Sequence, residues 1–305
     1  MRAVAGPASD SLRGLALGDA FGDRWFSVPA DEAPAALAAR LPRPAPWHWT
    51  DDTAMALVLL RHLDTHGEVR QDALAREFAA EYTGTPHRKY GPSMRRVLRD
   101  VASGADWRAV TSAQFEGQGS YGNGAAMRVA PLGAWFADDL AEAARQAELQ
   151  ALTTHSHPEA VAGAVAVALA SALAVRGRGE VPPPRGELLA EIAGRLPEGD
   201  VRSGLRIAAR LPAHTSVRHA ATVLGSGLRL SAPDTVPFAL WSAAGHPDSL
   251  PEALWHTLEG GGDKDTTCAI SGGVVAARTG TAGVPPAWLD AREALPDWVG
   301  EGPAA

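Results

Sequence analysis

The chain has 305 residues, a formal charge of −7 and one cysteine, Cys268. One cysteine excludes an intrachain disulfide, and the lack of a clustered Lys/Arg run argues against direct duplex nucleic-acid binding, which works by phosphate neutralisation. A chain this long suits one domain over 1–305 that buries roughly three quarters of its unfolded surface without staples.

Alanine makes up about a fifth of the residues, and it is the best helix former. Apolar residues at helical spacing predict helices over 11–20, 52–63, 72–82 and 93–101. Further helices are expected over 138–152, 159–175, 187–196, 201–211, 217–230, 251–259 and 266–278. Asp10, Thr50, Pro92 and Pro158 stand where caps or first-turn prolines belong. No segment reads as a strand, so the fold class is all-α. Residues 27–49 read as a loop with a short helix at 33–39. Residues 111–124 and 176–185 read as loops. The stretch 159–175 is rich in Ala and Gly, and its uncharged span of about 16 residues falls short of a membrane crossing. A buried central helix is expected there, and no membrane partner. The tail after Gly280 carries Trp288 and Trp298 and is expected to dock. With a lone thiol and no leader-like apolar run near the start, the expected location is cytoplasmic.

Three acidic placements stand out. Asp19 follows Leu15 by four residues, on the apolar face set by Leu12, Leu15 and Ala16. A carboxylate there needs a partner or a cation, unless Gly18 and Gly22 end the helix early. Thr50-Asp51-Asp52 precedes an apolar run. It reads either as an N-cap with two acids at the positive end of the helix dipole, or as oxygen ligands for a hard ion such as Mg²⁺. Asp263-Lys264-Asp265-Thr266 follows three glycines and opens a helix. If extended, it places Asp263 and Asp265 on one side and Lys264 on the other; the alternative is a turn and a cap. Two such clusters together with Asp19 supply the chemistry of a two-metal site.

The run Gly119-Ser120-Tyr121-Gly122-Asn123-Gly124 leads into a helix through Met127. Its N–H groups can cradle a diphosphate, with Tyr121 or Phe115 near a base; the plain alternative is a flexible turn. It matches neither the dinucleotide fingerprint nor the P-loop. His155 and His157 precede the central helix with no cysteine or third histidine close by. That favours polar residues lining a helix entrance, compatible with substrate contact, over zinc ligation. Cys268 reads as a small buried residue.

Taken in order, Gly14-Leu15-Ala16-Leu17-Gly18-Asp19-Ala20-Phe21-Gly22, Trp49-Thr50-Asp51-Asp52-Thr53, Gly122-Asn123-Gly124-Ala125-Ala126-Met127-Arg128, Thr154-His155 and Gly262-Asp263-Lys264-Asp265-Thr266 resemble the ADP-ribosylglycohydrolase family. The resemblance spans 11–278. It implies a compact, orthogonal multi-helix domain with a central cleft holding two Mg²⁺, with Mn²⁺ as the substitute. It implies metal ligation by Thr50, Asp51, Asp52, Asp263, Asp265 and Thr266. Gly119, Ser120, Tyr121, Gly122, Asn123, Gly124, Met127, His155 and Asp19 become expected contacts to substrate. The implied activity is hydrolysis of the glycosidic bond joining ADP-ribose to a protein side chain or a small conjugate. Asp52 or Asp265 is the expected base for the attacking water. Two departures are visible. Arg24-Trp25-Phe26 stands where many members carry a glutamate, and Lys264 stands where threonine is common. The first raises a second expectation, an ADP-ribose-binding module that lost turnover.

Overall fold

The computed structural model describes residues 6–29 and 31–300. Seventeen α-helices follow one another, and among these residues the only extended pairings are two isolated bridges. The first six helices are α1 (Pro7–Asp23), α2 (Ala33–Ala38), α3 (Asp51–His66), α4 (Gln71–Gly84), α5 (Pro92–Ala102) and α6 (Trp107–Ser112). Next come α7 (Gly124–Met127), α8 (Ala130–Trp135), α9 (Leu140–Leu152), α10 (Pro158–Arg176), α11 (Arg185–Gly194) and α12 (Asp200–Arg210). The last five are α13 (Val217–Leu224), α14 (Ala232–Ala243), α15 (Leu250–Glu259), α16 (Lys264–Thr279) and α17 (Pro286–Ala291).

The closest packing is between α1 and α16, and small residues cause it. Gly14, Gly18 and Gly22 recur every four residues, so they share one face of α1. A Cβ at Gly18 would stand 2.0 Å from the Cys268 carbonyl oxygen, and one at Gly22 would stand 2.2 Å from that of Lys264. Backbone therefore touches backbone. The pairing of Gly14 with Gly272, Gly18 with Cys268 and Gly22 with Lys264 makes the two helices antiparallel. Hence the end of α1 that carries Asp19 lies beside the start of α16.

By length and composition α10 is apolar enough to cross a membrane. It lies inside the protein, packed on α8, α9, α14 and α16. Its small residues allow this, since a Cβ at Gly133 of α8 would meet the Ala168 carbonyl oxygen at 2.1 Å. The tail also docks. Trp47 and Arg292 form a bridge, and Phe21, Trp47, Trp255 and Trp288 make a buried aromatic cluster with centroids 4.9–5.9 Å apart.

Two sequence expectations fail. The helix expected over 217–230 stops at Leu224, because Gly225 and Gly227 take positive φ and turn the chain. Residues 232–243 carry no helix expectation in the sequence, yet they form α14. Pro233 sits in the first turn, where no N–H is needed, and burial of Val236, Phe238, Leu240 and Trp241 outweighs the bond lost at Pro237.

Candidate active site

Asp19 is fully buried and accepts four hydrogen bonds. The Thr50 N–H donates to Oδ2 at 2.8 Å and the Thr50 hydroxyl to Oδ1 at 2.9 Å. The Thr53 N–H and hydroxyl donate to Oδ2 at 3.1 and 2.6 Å. Both oxygens thus accept from the start of α3, which Asp19 braces. Gly18 and Gly22 do not end α1 early, because they serve the seam with α16.

Thr50 holds the N-cap position of α3 but makes no capping bond. Its hydroxyl lies between Asp19 Oδ1 and, at 3.0 Å, Asp52 Oδ2. Asp263 is likewise the N-cap of α16 without capping it. Its Oδ2 accepts from the Asn123 amide at 2.7 Å. Position alone makes both residues look like caps, yet their oxygens are turned to other groups. The segment 263–265 is not extended, because Lys264 already begins the helix. Lys264 still points away, with its Nζ 3.2 Å from the Trp25 carbonyl oxygen and 4.9 Å from the Phe26 ring centroid.

The early and late acids converge. After burial, the strongest influences on Asp52 are Asp19, Asp265, Asp51 and Asp263, and all of them push its pKa well up. Burial and then Asp19 raise Asp51 to about 7, and burial raises Asp19 to about 6. Burial followed by Asp263 pushes Asp265 well up as well. Asp19 and Asp52 are buried, whereas Asp51, Asp263 and Asp265 are half-buried.

Two features fit this set to hard cations. Asp52 Oδ1 is buried and has no hydrogen-bond donor. Asp265 is pushed well up by burial and then by the charge of Asp263, so these two acids repel each other when no cation lies between them. Like-charged oxygens gathered this way form a low-energy site only around positive charge, and all-oxygen donors suit Mg²⁺ or Mn²⁺.

The glycine loop lies against the acids. Asn123 joins it to the acids, donating to Asp263 and, at 3.1 Å, to the Thr235 hydroxyl. The Asn123 side-chain N–H groups are therefore committed to the protein, where a substrate contact was expected. Ser120 is buried and its hydroxyl accepts from the Gly122 N–H. Met127 packs in the core below the loop. Tyr121 is half-exposed on the rim. His155 lies under the loop, its Nε2 3.3 Å from where a Gly122 Cβ would stand and 3.0 Å from one at Gly124. A Cβ at Gly119 would strike the Ser156 hydroxyl at 2.2 Å, so glycine there seats the loop on 155–157. His157 caps α10 through Nδ1, which accounts for it without a ligand.

Residues 225–231 were missed in the sequence and complete the site. The Ser226 carbonyl accepts the Asp263 N–H at 3.0 Å, and the Leu230 carbonyl accepts the Asn123 N–H at 3.2 Å. A Cβ at Gly227 would lie 2.5 Å from the Asp263 Cβ. The Gly225-Ser226-Gly227 run was the available signal.

Two other places compete and lose. His62, His66 and Glu77 lie close enough to hold an ion. However, the Arg70 N–H donates to His62 Nε2 at 2.9 Å, so Nδ1 carries the hydrogen and gives it to Glu77 at 2.8 Å. A cavity of about 110 Å³ lies at the far end of α16, lined by apolar residues such as Leu173, Leu189, Ile192, Leu240 and Val274. It lacks the acid cluster that the chemistry needs. Cys268 is buried beside the seam, with its thiol pushed well up by burial.

A family model for ADP-ribosylglycohydrolase matches residues 6–302. The chain belongs to the ADP-ribosylglycohydrolase family. It is 29% identical over 276 residues to ADP-ribosylhydrolase ARH3 of Homo sapiens, covering 81% of this chain and 75% of that one. It is 24% identical over 292 residues to ADP-ribosylarginine hydrolase Tri1 of Serratia proteamaculans, covering 93% and 74%. A solved ADP-ribosylglycohydrolase-related protein complex superposes with a TM-score of 0.68 at 26% identity, over 94% of this chain and 92% of that one. The all-α fold is thus that of the family, and the resemblance read from five ordered motifs holds across nearly the whole glycohydrolase chain.

Proposed function

We propose that this glycohydrolase cleaves the glycosidic bond between ADP-ribose and an acceptor group, using two Mg²⁺ held by Thr50, Asp51, Asp52, Asp263, Asp265 and Thr266. The observation that carries the reading is the gathering of acids from α1, α3 and α16 in one largely buried cluster, with Asp52 Oδ1 left without a donor. The ions, when bound, supply positive charge that lowers the pKa of water and orients ribose hydroxyls.

The chain's own residues do the rest. Asp52 keeps Oδ1 for an ion, so its Oδ2, 3.0 Å from the Thr50 hydroxyl, is the oxygen placed to take a proton from the attacking water. Asp265 is the less suited of the two expected bases, since its Oδ1 already accepts the Thr266 N–H at 2.9 Å. Asp19 and Asn123 hold Thr50 and Asp263 in register. The glycine loop and His155 bind the diphosphate side of ADP-ribose, with Tyr121 at the rim beside the base. Charge develops on the ribose ring as the bond breaks, as in other glycosyl transfers. The acids near the ring favour that positive charge.

One observation favours a second reading. Where many relatives carry a glutamate, Trp25 and Phe26 instead receive the Lys264 ammonium. A binding module without turnover would fit that exchange. The deciding experiment measures release of ADP-ribose from peptides modified on arginine or on serine, with calorimetry of ADP-ribose binding alongside. Mg²⁺-dependent release that stops with chelator is the expected result. Release that persists in excess chelator sinks the metal assignment, and tight binding with no release from any linkage establishes the binding module.

A further inference from the structure

The structure assigns Arg128 and Thr154 as positioning residues that set His155 in its Nε2–H tautomer and present that single N–H to the glycine loop. The assignment rests on the hydrolase reading only for the identity of the group that accepts the hydrogen.

Arg128 is fully buried, and among the described residues no carboxylate hydrogen-bonds it. A buried guanidinium is costly, so its contacts are informative. Its Nε donates to Gln150 Oε1 at 2.8 Å, and its Nη2 donates to the Gln150 carbonyl at 3.1 Å and to Thr154 Oγ1 at 2.8 Å. Nη1 approaches Met55 Sδ at 3.6 Å, and Cζ lies 4.4 Å from the Phe78 ring centroid. Gln150 is itself fixed, since its Nε2 donates to the Ala125 and Ala147 carbonyls. The guanidinium is therefore held in one orientation.

A guanidinium only donates, so Thr154 Oγ1 must accept from it. Oγ1 also lies 2.8 Å from His155 Nδ1. If Nδ1 carried the hydrogen, the hydroxyl proton of the buried Thr154 would have no acceptor among its contacts. The arrangement that leaves nothing unpaired has Oγ1–H donating to Nδ1. His155 then carries its hydrogen on Nε2. Burial, and then the Arg128 charge, hold its pKa near 3, so the ring stays neutral. Among the described residues nothing hydrogen-bonds Nε2, which faces Gly122 and Gly124 where no side chain intervenes. The outcome is one fixed N–H donor at the loop. It selects an acceptor oxygen, such as a phosphate or ribose oxygen of ADP-ribose, and disfavours a donor group.

The test uses the full chain with ¹⁵N-labelled histidine and reads the imidazole nitrogens of His155, assigned by His155→Gln. Wild type should show protonated Nε2 and bare Nδ1. Thr154→Val keeps the side-chain shape and removes the relay. It should shift the ring to a mixture of tautomers and weaken ADP-ribose binding about tenfold, the scale of one lost hydrogen bond to an ionised group. In turnover KM should rise while kcat holds, and Thr154→Ser should restore both the spectrum and KM. A wild-type ring protonated on Nδ1, or a Thr154→Val ring with an unchanged tautomer, overturns the assignment. If the imidazole signals behave as stated but wild type neither binds nor cleaves ADP-ribosyl compounds, the relay stands and the hydrolase reading falls.

Discussion

A methyl group added at Gly18 would stand 2.0 Å from the Cys268 carbonyl oxygen. Ordinary contact begins near 3.4 Å, so α1 and α16 would have to part by about 1.4 Å. Neither backbone can give way locally, because the next glycines along α1 are as tightly seated: a Gly22 Cβ would meet the Lys264 carbonyl oxygen at 2.2 Å. Overpacking of this kind costs about 1–3 kcal/mol. That is a fall in Tm of roughly 2–5 °C for a domain of this size. The functional loss should be larger. Asp19 and Asp265 sit on the two helices that separate, and a misplacement of about 1 Å can cost on the order of 100-fold in rate. We expect Gly18→Ala to lower kcat/KM about 100-fold while the protein remains folded at room temperature. Gly84→Ala is the control, because nothing lies within 4 Å of a Cβ there. It should leave activity intact and change stability by less than about 1 kcal/mol. Thermal denaturation with and without Mg²⁺, beside a turnover assay, reads both quantities. A Gly18→Ala protein with wild-type kcat/KM and an unchanged Mg²⁺-induced rise in Tm would refute the claim that this seam sets the acid cluster.

Other expectations follow from the same pocket. Asp52→Asn should cut turnover at least about 100-fold, the usual scale for removing a general base, yet should raise Tm in chelator, since one buried like charge is gone; a fall in Tm under chelator would count against the crowding of acids. The folded-state pKa values of Asp19 and Asp51 are raised from 3.8 to about 6 and about 7. Their neutral forms therefore favour folding below pH 4, and that contribution is lost as pH rises through 6 and 7. Urea titrations in chelator should show stability declining across that window, with the slope largely removed by saturating Mg²⁺; an equal slope with the metal present would contradict the cation site. Asn123→Ala removes the amide that donates to Asp263 and Thr235. It should weaken Mg²⁺-dependent stabilisation by about 1–2 kcal/mol in calorimetry, with little change in the metal-free protein.

Much of the architecture was legible from residue order. The 3.6-residue spacing of apolar side chains and the prolines at helix starts predicted most of the helices, because those signals act within a few residues of the chain. The small-residue character of α10 foretold its burial, and the acids at Thr50–Asp52 and Asp263–Thr266 were visible as clusters that ordinary helix caps would also explain. Helix α14 was hidden because prolines at 233 and 237 argue locally against a helix, and only burial of its apolar neighbours outweighs them. What the Thr50 hydroxyl and the Asp263 carboxylate bond to could not be read at all. A helix N-cap offers its own N–H groups as partners a few ångströms away, and whether a side chain turns to them depends on a competitor brought in from elsewhere in the chain. Here those competitors are Asp19, 31 residues from Thr50, and Asn123, 140 residues from Asp263. The close approach of α1 to α16 carries Asp19 to the start of α16, and the 225–231 turn seats Asn123 against Asp263. Local physics thus chose the helices, and long-range packing chose the partners of the acids.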